Sequence, residues 1–445
     1  MTTHKSALPL LTFLLSLLFI LSQCKPTPSK TDENKKTATK QKAEAIVKKA
    51  PSCKILSQWR GPKRNGIYPD KNLLERWPKG GPKLLWQYND LGVGYASAAV
   101  TDDVVYTVAS LQDTSFIVAF NHKGKLLWKK KMGLEFTDNY PGSRGTPIIC
   151  SDYGYFLTGV GVVYCFDIKN GNVVWKKDIK KEFNGRPHNS GYSENLIVDG
   201  DKVICTPTGP ETCVVALNRK TGKPIWTSKG NGEKNAYSNP ILIERNGKKI
   251  FVIQLRKSIV GIDISNGKRL WKHPMKSDLH SNTPIYKDGH ILAIDGWKGH
   301  TVKLKLSADG SNVQEVWKCE SLAAEQGDAV ILGDNIYGAD VANYSFNCVD
   351  WNTGMKKYKI VRNSKPHRIA IISADSLLYC YSDEGYFYLV NPLDKKFETR
   401  GKFKVPGTKK TDHYTHPVIY NGCLYVRHNN SLFVYDISKS DHKTS

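Results

Sequence analysis

The chain has 445 residues, 40% of them hydrophobic, with aromatic residues spread along its length, which is ample for one large repeat domain. Lysine and arginine outnumber aspartate and glutamate by 65 to 41, a formal charge of +24. Most of the excess is scattered lysine, which reads first as a solvated surface and second as a docking face for anionic lipid or polymer. No basic-aromatic recognition motif accompanies it, so nucleic acid is not an expected partner.

Residues 1–23 read as an export signal, with Lys5 before an apolar run from Leu8 to Leu21 and then Ser22-Gln23. The run is too short and wrongly flanked for a transmembrane helix. The stretch ending at Cys24 resembles the lipobox of bacterial lipoproteins, with Gln23 in place of the usual small residue. That resemblance implies Cys24 as the lipidated first residue of a mature, membrane-anchored chain. Residues 24–52 are rich in Lys, Thr and Ala and cannot form a core, which predicts a flexible tether.

Residues 53–82 include Q-W-R-G-P-K-R-N-G-I-Y from Gln58 and L-L-E-R-W-P-K-G-G-P from Leu73. Glycine and proline recur every few residues, which predicts an irregular lead-in laid against the following domain.

From 83 to 437 the chain repeats. The unit is clearest at Val214–Trp226, V-V-A-L-N-R-K-T-G-K-P-I-W: an alternating strand, a tight turn and a returning strand. The same register holds at Cys165-Phe166-Asp167 with Gly171 and Trp175, at Gly261-Ile262-Asp263 with Gly267 and Trp271, and at Cys348-Val349-Asp350 with Gly354 and Tyr358. Looser copies end at Trp86, Trp128, Trp317 and Phe397, so the aromatic recurs every 39 to 51 residues. Such a period, with two more alternating runs before each hairpin, predicts four-stranded antiparallel propeller blades. Seven repeats are complete. The tail His416–Ile437 supplies three strands, and Lys83–Tyr88 has the sequence of an outer strand with no hairpin before it. Pairing these pieces gives an all-β, eight-bladed β-propeller closed by its N-terminal strand, with no open sheet edges at the ends of the ring. Residues 438–445 read as a disordered tail.

The Trp59-Arg60-Gly61-Pro62 opening and the Ala216–Gly222–Trp226 spacing resemble the PQQ-repeat, quinoprotein-dehydrogenase-like family of eight-bladed propellers, over roughly Gln58 to Ile437. The resemblance implies two functional classes. One is a PQQ- and Ca²⁺-dependent dehydrogenase of alcohols or sugars. The other is an envelope lipoprotein that binds protein partners without catalysis, as in the propeller that helps assemble outer-membrane β-barrels. Dehydrogenases of this type often carry adjacent cysteines under the cofactor, and none occur here; the metal-binding Glu and Asn and the catalytic Asp match no motif. The expectation is therefore a monomeric, non-catalytic, envelope-anchored module taking a protein partner or small polar ligand, with no cofactor required.

The repeat register absorbs many tempting residues. Asp167, Asp263, Asp350, Asp436, Asn121, Asn218 and Asn391 all open the tight turn, where their side chains can bond the following amides. Nine cysteines follow Cys24; Cys205 and Cys213 flank one turn and could pair across it. There is no C-x-x-C or H-E-x-x-H, so no metal site is expected. What remains is the segment before each innermost strand, which in a propeller lies near the axis on one face. This predicts convergence of Tyr95, Ser97, Arg144, Thr146, His188, Tyr192, Tyr237, Asn239, His280, Asn282, Gln326, Asp328, His367, Arg368, His413 and His416. Turns between second and third strands open on the same face and add Arg256, Trp297, Asp383 and Glu384. From these the candidate ligand-binding set is Arg144, His188, Arg256, His280, Trp297, Asp328, His367, Asp383, Glu384 and His413. Polar residues also gather in such loops simply because the loops face water. Trp86, Trp128, Trp175, Trp226, Trp271, Trp317 and Tyr358 are assigned to structure.

Overall fold

The computed structural model describes residues 53–439 except 231, 297–299, 342, 362–367 and 408–412. The leader, Cys24, the tether, Trp297, His367 and residues 440–445 lie outside the described residues.

In the unit at 214–226, the strands Thr212–Asn218 and Pro224–Lys229 pair antiparallel with Ala216 opposite Trp226. Asn218 Oδ1 accepts from the amides of Lys220 and Thr221, each at 3.1 Å, and Gly222 takes φ 69°. Asp167, Asp263, Asp350 and Asn121 accept from the following amides in the same way. The small residue is required because the aromatic of the outer strand lies across it: Ala119, Cys165, Ala216, Gly261 and Cys348 sit opposite Trp128, Trp175, Trp226, Trp271 and Tyr358.

The turn glycine acts between blades. A Cβ on Gly267 would lie 2.5 Å from the Trp226 ring of the preceding blade, and a Cβ on Gly222 would lie 2.7 Å from that of Trp175. The indole N–H groups of Trp175 and Trp226 donate onward to Arg219 O and Ile264 O, each at 2.9 Å. The triplet of small residue, glycine and aromatic is thus the joint that docks one blade on the next.

The described residues form eight sheets of this kind. Their innermost strands are Ala99–Val100, Ile148–Cys150, Ile197–Asp199, Ile241–Arg245, Ile285–Lys287, Ala329–Leu332, Ile369–Ala374 and Val418–Tyr420, which number blades 1 to 8. The core lies between blades, where Leu157 and Val163 of blade 2 meet Leu196, Val203 and Val215 of blade 3. Blade 8 closes the ring as its sequence implies: Lys83–Tyr88 pairs antiparallel with Ser431–Asp436, Lys83 opposite Asp436 and Tyr88 opposite Leu432.

The lead-in lies against the propeller, contributes one strand to it and enters its axis. Ile55–Ser57 is a strand added to the inner edge of blade 2, paired with Ile148–Cys150. The chain then crosses the axis. The Arg64 guanidinium donates to Asn195 O (2.6 Å), Leu196 O (3.0 Å) and Pro240 O (3.1 Å) on blades 3 and 4. On the opposite side Arg60 reaches Ala329 O (2.8 Å) and Asp328 (3.2 Å) on blade 6. Tyr68 N then donates to Ser373 O of blade 7, and Trp77 packs edge-on against Tyr379 and Phe403. Glycine and proline signal the absence of regular structure, but they do not reveal that eight radial blades leave an axial channel with inward carbonyls needing donors.

Two further differences concern the ends and the cysteines. Ser438 bridges Leu73 and Lys439 N donates to Asn72 O, so the start of the expected disordered tail is held by the lead-in. Cys205 and Cys213 remain thiols, because Cys205 faces Val215 across the ladder. The disulfide joins Cys53 to Cys150, with Cα atoms 5.9 Å apart, and fastens the added strand to blade 2.

Candidate ligand-binding site

Each innermost strand is preceded by a segment that turns over the axis, and adjacent segments are tied by hydrogen bonds that run around the ring. Ser97 N donates to Thr146 Oγ1 (3.0 Å), Thr146 N to Asn195 Oδ1 (2.6 Å), and Asn195 N to Asn239 Oδ1 (2.8 Å). Ser238 Oγ donates to Asn282 O (2.8 Å), and Thr283 N to Asp328. Arg368 bonds Glu325 (2.7 Å) and Tyr414, and Ser97 Oγ returns to His416 O (2.7 Å). Every blade is bonded to its neighbours here, so the segments are held rather than left as free loops.

Inside this ring is a cavity of about 280 Å³ to which all eight blades contribute. Its lining includes Tyr95, Tyr140, Arg144, His188, Tyr237 and Arg368, with Glu325, Gln326, Tyr414 and His416, and Trp59 of the lead-in faces it from the axis. Tyr95 and Tyr414 stack at 5.9 Å, and Tyr140 lies 6.3 Å from Tyr414. Arg144 is 7% exposed; its guanidinium sits 4.8 Å from the Phe136 ring and 5.8 Å from that of Tyr237, and donates to Asn139 O and Tyr140 O. Its Nε finds no hydrogen-bond partner among the described residues. Burial, then the charges of Arg256, Lys234 and Arg144, push the His188 pKa down, so its imidazole is neutral at pH 7. Burial pushes the Tyr237 hydroxyl up to about 12. Burial works against the Arg368 charge, yet the hydrogen bond to Glu325 and the neighbouring Tyr414 outweigh it and raise its pKa.

Of the candidate residues, the structure brings Arg144 and His188 to the cavity, together with Tyr95, Tyr237, Asn239, Gln326, Arg368 and His416 from the same segments. Asp328 is fully buried at the axis, ion-paired to Arg60 (3.2 Å) and 3.0 Å from His416. Burial opposes its charge, but Arg60 and His416 hold its carboxyl below the usual range. His280 is buried against Asp295 (3.1 Å) and Arg256 O (3.3 Å). His413 turns into blades 7 and 8, bonded to the Tyr381 hydroxyl and stacked 3.5 Å from His428; burial and that neighbour push its pKa down to about 3. Arg256 points outward to Asp278 (2.8 Å). Asp383 and Glu384 occupy a turn whose amide, from Asp383, donates to Arg368 O, and neither lines the cavity. Placement near an innermost strand predicts the right face, but the direction of each side chain depends on the neighbouring blade. Trp59, Tyr140 and Glu325 lie outside the candidate set; for Trp59, an indole beside Arg60 in the W-R-G-P opening is the one available signal.

Ca²⁺ takes six to eight oxygen ligands, carboxylates among them. The cavity's carboxylate, Glu325, is engaged by Arg368 at 2.7 Å, and Asp328 is paired with Arg60 at 3.2 Å. Among the described residues no group of three or more His, Cys, Asp or Glu is placed to hold a metal. These residues do not fit a Ca²⁺-assisted quinone site, and no redox step is derived from them. The arrangement suits an anionic group with a flat or apolar face: the Arg144 guanidinium to receive the charge, Arg368 being paired with Glu325, and phenol and indole rings to cover the rest.

Fold and site together define an eight-bladed propeller with an axial cavity walled by tyrosine and arginine. The chain belongs to the PQQ-repeat family PQQ_2, described as outer membrane protein assembly factor BamB, whose sequence model matches residues 113–360, more than half of the chain. The chain is similar to the outer membrane protein assembly factor BamB of Kangiella koreensis, 25% identical over 205 residues that cover 45% of this chain and 48% of that protein. It is also similar to the quinoprotein alcohol dehydrogenase PedH of Pseudomonas putida, 26% identical over 159 residues, 34% of this chain and 26% of that protein. The matches thus span about half the length of the first relative and a quarter of the second. Among solved structures, BamB of Moraxella catarrhalis superposes with a TM-score of 0.57 at 14% identity, covering 80% of this chain and 99% of that one. The quinohemoprotein alcohol dehydrogenase of Comamonas testosteroni gives a TM-score of 0.65 at 11% identity, covering 89% and 82%. At these identities the structures share the fold.

Proposed function

We propose that this chain is an envelope-anchored propeller acting as a non-catalytic binding module, and that its axial cavity receives an anionic group of a small polar ligand or of a protein partner. The observation that carries the reading is the convergence of Arg144 and Arg368, with four tyrosines and Trp59, on one cavity that all eight blades hold in place. Similarity to proteins named outer membrane protein assembly factors supports an interaction role in the envelope. Cys24, within its lipobox-like sequence, supplies the anchor.

Titrating the full chain with pyrroloquinoline quinone, and separately with a benzene tricarboxylate, tests the reading by tryptophan fluorescence with and without Ca²⁺. Saturable binding that is indifferent to Ca²⁺ and lost in Arg144→Gln is the expected result. Binding that requires Ca²⁺, with alcohol-dependent dye reduction, would replace it with the dehydrogenase reading. Cys24→Ala is expected to release the protein from membranes, and full retention would remove the lipid anchor from the proposal.

A further inference from the structure

Every outer strand carries a bulge, in seven blades at the residue before the repeat aromatic and in blade 7 at Arg400, before Gly401. In blade 1 Ala119 pairs with Trp128 and Phe120 with Leu126, leaving Leu127 as the extra residue; in blade 2 the extra residue is Val174, and in blade 8 it is Leu85. A bulge twists an edge strand away from further pairing and re-aims a side chain outward. The bulged residue is Lys357 in blade 6 and Arg400 in blade 7, and aliphatic in the other six blades, Ile225, Leu270 and Val316 among them. What sets blades 8, 1 and 2 apart is that the residue before the bulged one is aliphatic as well, where blades 3, 4 and 5 have Pro224, Arg269 and Glu315. The doublets Leu84-Leu85, Leu126-Leu127 and Val173-Val174 are between 40% and 47% exposed. They are consecutive around the rim, because the turn glycine Gly124 packs on Trp86 of blade 8 and Gly171 packs on Trp128 of blade 1.

Charge within the strands and turns of this row has one sign. Segments 83–88, 121–131 and 169–177 hold nine lysines (83, 123, 125, 129, 130, 131, 169, 176 and 177) and no aspartate or glutamate. An ion pair from outside the segments holds Lys129 to Asp90 at 3.0 Å, and Lys177 pairs with Glu182 at 2.8 Å. Lys83, Lys123, Lys125, Lys131, Lys169 and Lys176 are exposed. Blade 5, whose bulged residue Val316 is also aliphatic, places Glu315 beside it and so lacks this one-sided charge.

We propose that the rim of blades 8, 1 and 2 is a lipid-docking edge that rests on an anionic bilayer surface, with the aliphatic doublets entering the headgroup region and the lysines meeting lipid phosphates. Charge complementarity selects the occupant. Aliphatic residues bordered by a large excess of lysines, six of them exposed, match an interface that is apolar below and negative above. A bulged edge is also a poor template for strand addition by a protein partner. The surface lies on the rim, away from the axial cavity, and is independent of any lipid on Cys24.

Hydrogen exchange of the full chain tests the proposal segment by segment, so membrane binding by residues 1–23 does not confuse the reading. Phosphatidylglycerol vesicles are expected to slow exchange in 83–88, 126–134 and 173–178 several-fold, leaving 313–319 unchanged. Phosphatidylcholine vesicles, or ionic strength of about 0.5 M, where the screening length falls below ~5 Å, are expected to remove the effect. The triple variant Leu85→Ser, Leu127→Ser, Val174→Ser should lose the protection while keeping the parent's melting temperature. Equal protection by both lipids, protection of 313–319 instead, or no protection at all would overturn the proposal. Protection by polyglutamate but not by phosphatidylglycerol would assign the rim to an acidic polypeptide and would likewise overturn it.

Discussion

Replacing Asp328 by Asn tests whether the lead-in truly threads the axis. Asp328 is fully buried, and its carboxylate faces Arg60 at 3.2 Å and His416 at 3.0 Å while accepting the Thr283 amide. Asparagine keeps the acceptor for Thr283 and replaces the charged Oδ2 that faces Arg60 and His416 with a neutral amide NH2. The Arg60 guanidinium, 1% exposed, then keeps a hydrogen bond to Ala329 O but loses its counter-ion. Breaking one side of a buried pair costs about 3–5 kcal/mol, chiefly because the surviving charge stays out of water. A loss of about 3 kcal/mol is expected, since part of the Arg60 donor set remains satisfied. Urea unfolding followed by tryptophan fluorescence measures it. Arg60→Met combined with Asp328→Asn should be less damaging than the sum of the single changes by about 2 kcal/mol, as directly paired groups couple. Strictly additive changes, or a single-variant loss below ~1 kcal/mol, would refute the axial placement of the W-R-G-P segment.

Glu194 gives a pH signature. Burial raises its pKa to about 8 from the ordinary value of 4.5, against hydrogen bonds from Thr206 and the charge of Arg64. The folded state therefore holds a proton that the unfolded chain releases, so this contribution to stability is full below about pH 4.5 and falls by up to ~1.4 kcal/mol per pH unit on the way to about pH 8. Glu194→Gln should flatten that decline in urea midpoints; an unchanged slope would show Glu194 ionised against Arg64. Trp226→Ala removes both the cover over Ala216 and the bond to Ile264 O, and should cost about 3 kcal/mol in the same assay, whereas a near-neutral result would mean that the blades dock by other contacts. Deleting 83–88 strips blade 8 of its outer strand and should abolish a single cooperative melt; a truncated chain that melts like the parent would disprove ring closure.

The blade repeat was legible in the sequence because its causes are local. A small residue must lie under an aromatic on the paired strand, an Asp or Asn must cap the turn, and a glycine must take a positive φ against the neighbouring ring, all within thirteen residues such as 214–226. Even ring closure could be read, because Lys83–Tyr88 and Ser431–Asp436 each carry half of a pattern whose other half is missing. The site was legible only in outline. That the segments before the innermost strands converge follows from the repeat, and Arg144, His188 and Arg368 do meet. His280 and His413 come from equivalent positions and turn inward instead, because Asp295 in one case and Tyr381 and His428 in the other offer partners there.

Other features depended on tertiary structure alone. The Cys53–Cys150 bridge spans 97 residues, Arg64 seeks carbonyls more than 130 residues away, and the aliphatic doublets form a row only once three blades stand side by side. Sequence by itself determined the hairpins, their repetition and the closure of the ring, since hydrogen bonding and packing within one unit suffice for them. The tertiary structure decided what fills the axis and which side chains face the cavity, because those choices are made by unpaired carbonyls and charges that belong to different blades.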